Sequence, residues 1–214
     1  MSELSPLPEP ASTDDGGETP AARKRPKPGE RRVQILQALA AMLEQPGAER
    51  ITTAALAARL SVSEAALYRH FASKAQMFEG LIEFIEQTIF GLINQITAKE
   101  EQGARQLQDI IRMLLSFADK NPGMTRVLIG EALVNEDERL QERINQLLDR
   151  IESSLKQCLR IGMTQAAWPA DTDSAARAGL ILSTVVGRWH RYAKSGFRRS
   201  PSTDLDVMMR TLLA

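Results

Sequence analysis

The residues best suited to chemistry lie between positions 52 and 74: Thr52, Thr53, Ser63, Tyr68, Arg69, His70 and Lys74. Each can donate hydrogen bonds, and they stand at predicted helix starts and flanks, where phosphate oxygens are gripped. This is binding chemistry rather than bond-breaking chemistry. Among them, Ala65 and Ala66 keep one helix face small enough to approach base edges closely. Glu64 is the exception in sign, serving either as a favourable charge in a first helical turn or as the reader of a base. Plain alternatives stand beside the others: Tyr68 as a partly buried ring, and His70, next to Phe71, as an ordinary surface histidine. Lys74 opposes the helix dipole at a first turn, so an external anion is expected there.

The rest of the inventory is mostly exclusion. Cys158 is the one cysteine, which removes an internal disulfide and any multi-cysteine zinc site. His70 and His190 are 120 residues apart, and neither has metal-ligand spacing. With no glycine-rich phosphate loop and no paired nucleophile and base, no enzyme reaction, metal or cofactor is expected. No apolar run reaches the roughly 18 residues of a membrane helix, and the N-terminus has no apolar signal core. A cytoplasmic protein without a membrane span is the expectation. The net charge of zero conceals an asymmetry. Residues 1–22 carry five acids and no base, residues 23–74 ten bases against four acids, and residues 75–214 are nearly balanced. Positive charge concentrated in one quarter of a chain is the footprint of a nucleic-acid-binding module.

The elements that must position these residues are helices. Residues 1–29 hold six of the ten prolines and read as a disordered tail. The basic end of that tail, Arg23 to Lys27, is either a solubilising segment or an arm on DNA phosphates. From Arg31, Leu36, Leu39, Ala40 and Leu43 recur on one helical face, and Pro46-Gly47 stops the helix. Thr52 or Thr53 caps a short helix at about 53–59, and Ser63 caps another through Arg69. Ser73 and Gln76 form a capping box that opens a long helix to about Thr97. Further helices fit 104–119, 122–134, 137–160, 171–195 and 203–213, with Pro122 in a first turn after Asn121 and Thr203 as the last start signal. The chain reads as all-α, about nine helices. A support helix followed by two short ones joined by a tight turn is the helix-turn-helix pattern, whose second short helix enters the major groove. Ser61 stands in that turn where glycine is often found. The expected division is a tail at 1–29, a helix-turn-helix domain at 30–75 and a helical partner-binding and dimerisation domain at 76–214.

Ile51-Thr52-Thr53, Tyr68-Arg69-His70-Phe71 and Ser73-Lys74 resemble the DNA-binding unit of the TetR family. Within that family, Val62 to Phe71, Leu81 to Glu86, Asn121 to Arg126 and Arg143 to Leu147 are similar to its nucleoid occlusion members. The resemblance covers about residues 31–160 closely and 171–214 only in helical pattern. It implies a TetR-like fold and a homodimer bound to palindromic sites in double-stranded DNA. It also implies antagonism of polymerisation of the tubulin-like division protein FtsZ, and association with the nucleoid. Phe84, Lys120 and Asn121 match the FtsZ-binding surface of those relatives, with Lys120 replacing an arginine. Leu92 and Ser116 depart from it, standing where an arginine and a glycine are expected.

Periodicity adds two features of its own. In the helix at 73–97, Phe78, Leu81, Ile82, Ile85, Ile89, Leu92, Ile93 and Ile96 share a face, while Phe84 and Phe90 lie off it on opposite sides. Each off-stripe ring is either clamped between helices or presented to a partner. Asn121 has an equally good role as a helix N-cap. In the helix at 171–195, Ala175, Gly179, Ser183 and Gly187 recur every fourth residue, with Leu182, Val186 and Trp189 to supply apolar area beside them. Such a row allows close helix approach, within one subunit or, as preferred here, across a dimer seam. A ligand-responsive TetR-type repressor, with its pocket in the C-terminal helices, is the alternative function.

Overall fold

A computed structural model describes residues 29–45, 51–134 and 136–214. The tail, its basic end and the Pro46-Gly47 stop fall outside the described residues. Among the described residues there are nine α-helices and no strand: α1 (Glu30–Leu43), α2 (Thr53–Arg59), α3 (Glu64–Tyr68), α4 (Lys74–Lys99), α5 (Gly103–Lys120), α6 (Pro122–Leu128), α7 (Glu138–Thr164), α8 (Ser174–Lys194) and α9 (Leu205–Leu213). None of them is long and apolar enough to cross a membrane.

The apolar spacing explains which faces turn inward. α1 buries Ile35, Leu36, Leu39, Ala40 and Leu43 against α2, α4 and α6. α4 buries Phe78, Leu81, Ile82, Ile85, Ile89 and Ile93 from its predicted stripe, together with Met77 and Gly80. Each fully buried Leu, Ile or Phe contributes roughly 1.5–3 kcal/mol. Leu92 and Ile96, toward the end of the stripe, are half-buried. α5 packs among α4, α7 and α8 and carries the aliphatic centre of the body. Cys158 sits in that packing, and burial pushes its thiol up to about 11, so it is neutral and unreactive near pH 7.

α4 is the shaft joining the two parts, and it is fastened to α7 by charge. Glu86 accepts from Arg143 at 3.0 Å and from Arg150 at 2.7 Å, and the Arg150 guanidinium lies 3.9 Å above the Phe90 ring. Phe90 is thus the clamped ring. α6 meets α1 backbone to backbone: a Cβ added at Gly123 would lie 1.9 Å from the Ala40 carbonyl oxygen, so only glycine fits.

Three local expectations are corrected. The helix expected over 122–134 stops at Leu128, because Gly130 takes a left-handed conformation (φ +76°), and a 3-10 turn over Glu131–Leu133 follows. Asn121 does not cap α6 with its side chain. Its Nδ2 donates instead to the Phe117 carbonyl at 2.7 Å and closes the end of α5. Thr203 does not start α9 either. Its hydroxyl donates to Ser200 O at 2.9 Å, and Asp204, with φ +53°, precedes the helix.

Candidate nucleic-acid interface

Caps set the two short helices. The Thr52 hydroxyl accepts from Ala55 N at 3.1 Å and the Ser63 hydroxyl from Ala66 N at 3.2 Å, leaving both hydroxyl hydrogens for other partners. The turn between α2 and α3 closes by two reverse bonds, Ser61 N to Ala58 O at 3.1 Å and Val62 N to Ala57 O at 3.0 Å. That pair defines a Schellman motif, which needs a left-handed residue, and Ser61 supplies it with φ +54°. Ser73 accepts from Gln76 N at 3.1 Å while Gln76 Oε1 accepts from Ala72 N at 2.9 Å, so a reciprocal cap opens α4.

Thr52, Ser63, Glu64, Ala65, Tyr68, Arg69 and His70 are all exposed, and Thr53 and Lys74 are half-buried. Three of them meet. Thr53 Oγ1 donates to Glu64 Oε2 at 2.5 Å, and the Tyr68 hydroxyl stands 3.5 Å from the same Oγ1. Tyr68 is 44% exposed, so its ring is no part of the core. His70 leaves its side chain outside while its carbonyl accepts from Arg32, whose guanidinium lies 4.0 Å above Phe71. Lys74 shares a small cleft with Thr52 and Thr53. The anion it meets is internal: its ammonium pairs with Glu136, in the segment leading to α7. Sequence reasoning missed that pair, because nothing local connects positions 62 apart.

The other candidate residues lie on the helical body. Phe84 is 39% exposed and lines a shallow apolar hollow with Val33 and Leu36 of α1, Leu81 of α4 and Met124 of α6. Lys120 is exposed; Asn121 and Ser116 are half-buried. On α8 the row of small residues points away from the core. Ala175, Ser183 and Gly187 are exposed, Gly179 is half-buried, and a Cβ at Gly187 would meet nothing within 4 Å. Packing within one subunit is therefore not what the row serves. Of the residues expected beside it, Leu182 and Trp189 turn into the core, where the Trp189 indole donates to Leu114 O at 3.3 Å, and Val186 is half-buried. The exposed apolar neighbour on this helix is Leu180.

Residues 35–81 match the family described as bacterial regulatory proteins, tetR family, and residues 101–214 match the SlmA-like tetracyclin repressor-like C-terminal domain. The nucleoid occlusion factor SlmA of Idiomarina loihiensis is 51% identical over 182 residues, covering 85% of this chain and 93% of its own. That of Vibrio cholerae is 49% identical over 185 residues, covering 86% and 94%. The chain belongs to the SlmA-like group of the TetR family. The TetR-family architecture extends to distant structures: the fatty acid degradation regulator FadR of Bacillus halodurans superposes with a TM-score of 0.74 at 16% identity, over 87% of this chain and 96% of that one. The TetR-family regulator PfmR of Thermus thermophilus gives 0.71 at 20%, over 84% and 97%. The N-terminal match takes in α2, α3 and parts of α1 and α4, and the C-terminal match takes in α5 to α9.

Proposed function

We propose that this chain binds palindromic chromosomal sites as a homodimer and, while bound, antagonises FtsZ assembly, so that septa do not form over the nucleoid. The observation that carries the reading is near-half identity to nucleoid occlusion factors across most of the chain, the DNA-binding unit and the body alike. Residues 30–75 hold DNA through Thr52, Thr53, Ser63, Glu64, Ala65, Tyr68, Arg69, His70 and Lys74, the last exchanging Glu136 for a phosphate. Residues 76–214 hold partners, and residues 1–29 are a tail. Phe84 beside the apolar hollow, with Lys120 and Asn121, receives the division protein. Ala175, Gly179, Ser183 and Gly187 form the seam between subunits, as two half-sites require.

Sedimentation of FtsZ polymers, with and without the protein and its specific DNA, tests this. Wild type with DNA should deplete the polymer pellet, and Phe84→Ala should lose that effect while keeping its DNA affinity. Wild type that leaves polymers untouched would remove the division-control reading. A ligand-responsive repressor is the second reading, favoured by one observation: a cleft of about 450 Å³ among α4, α5 and α7 contains buried Gln106, whose Oε1 has no hydrogen-bond partner among the described residues. Release of DNA by a small molecule that Gln106→Leu no longer recognises would establish it.

A further inference from the structure

We propose that Glu64 reads a cytosine in each half-site, accepting a hydrogen of its N4 amino group. The inference rests on the DNA-binding reading above and adds to it the identity of a base. Glu64 is exposed in the first turn of α3. Its Oε2 takes the Thr53 hydroxyl hydrogen at 2.5 Å, and Oε1 makes no hydrogen bond or ion pair among the described residues. Because Thr53 belongs to α2, the carboxylate is pinned between the two helices of the motif. A side chain already held loses little rotamer freedom on binding.

Capping does not explain the residue. The Ser63 hydroxyl already serves Ala66 N, and the five-residue α3 is too short to build much dipole. Electrostatics sharpens the point. The other polar side chains assigned to this surface donate, as a phosphate backbone demands, and a lone carboxylate among them is repelled by phosphate. That cost is offset only where the carboxylate meets a donor. The major groove offers two amino groups, adenine N6 and cytosine N4. Adenine sets its N7 acceptor beside N6, which a carboxylate opposes, whereas cytosine presents its amino group without an adjacent acceptor of its own.

The test uses the full chain. Preferred sites are selected from a randomised duplex pool, and the best site is then titrated against every single-base variant by wild type, Glu64→Ala and Glu64→Gln. Wild type should prefer C·G over T·A at one position per half-site by about 5- to 150-fold. Glu64→Ala should bring that ratio close to one and leave the ratios at other positions in place. Glu64→Gln should move the preference toward A·T, because an amide both accepts from N6 and donates to N7. Thr53→Val, which keeps the shape and loses the hydroxyl, should lower the same ratio. A Glu64→Ala profile identical to wild type, or weakened evenly at all positions, would overturn the proposal while leaving sequence-specific binding intact. Wild type without any preferred sequence would overturn the DNA-binding reading as well.

Discussion

At the scale of single residues, Ser61 carries a cost that its position makes measurable. A left-handed serine is strained relative to glycine, and the Schellman bonds hold it there. Ser61→Gly relieves the strain but frees the unfolded chain, and the two effects partly cancel. The expected outcome is a gain of up to about 1 kcal/mol, read as a higher urea midpoint with an unchanged slope. Lys74 offers a second measurement. In the proposed complex, a phosphate reaches the Lys74 ammonium only by displacing the Glu136 carboxylate. Glu136→Gln should therefore raise DNA affinity about 1.5- to 5-fold per protomer at low salt, with a smaller gain as salt rises. Lys74→Ala should instead lower affinity and flatten the plot of log affinity against log salt by roughly one unit per protomer. A gain in affinity for one variant and a loss with a flatter slope for the other separate competition from contact.

At the scale of elements, most of the fold was legible because helix starts and faces are written locally. Ser73 and Gln76 announce α4 within four residues, and its buried face follows from the 3.6-residue period. What was not legible depends on residues far apart or on backbone energy. The break at Gly130 replaces an apparently continuous helix, Asp204 in a left-handed conformation precedes α9 where Thr203 with Asp206 three residues on gave the start signal, and Asn121 serves the helix behind it. The candidate site divides the same way. Exposure of Glu64, Tyr68 and His70 agrees with the pattern, whereas the Glu64–Thr53 bond and the Lys74–Glu136 pair arise only once helices are packed. Gly123 shows how tight one such packing is. Gly123→Ala forces α6 off α1, and a loss of at least about 1–3 kcal/mol in thermal or denaturant unfolding is expected.

At the scale of the whole molecule, the outward row on α8 is the surface to which the proposed homodimer assigns its seam. Close approach of two copies needs small side chains at Gly179, Ser183 and Gly187, and Leu180 beside them supplies apolar area. Gly187→Glu has room in one protomer but sets two like charges against each other across a two-fold axis. Light scattering should report a monomer, and affinity for a two-half-site operator should fall steeply while helicity by circular dichroism is retained. A variant that remains dimeric with full affinity would move the seam elsewhere.

The apolar hollow beside Phe84 draws its walls from α1, which belongs to the part that grips DNA, and from α4 and α6, which do not. An occupant there would touch both parts at once and hold α1 against α4 and α6. Its effect would then be one of time: an occupied hollow should lengthen the residence of the protein on its operator by as much as the operator improves occupancy of the hollow, provided association is unaffected. Single-molecule dwell times on DNA, with and without FtsZ, should lengthen together with FtsZ concentration. Phe84→Ala should dwell for one constant interval.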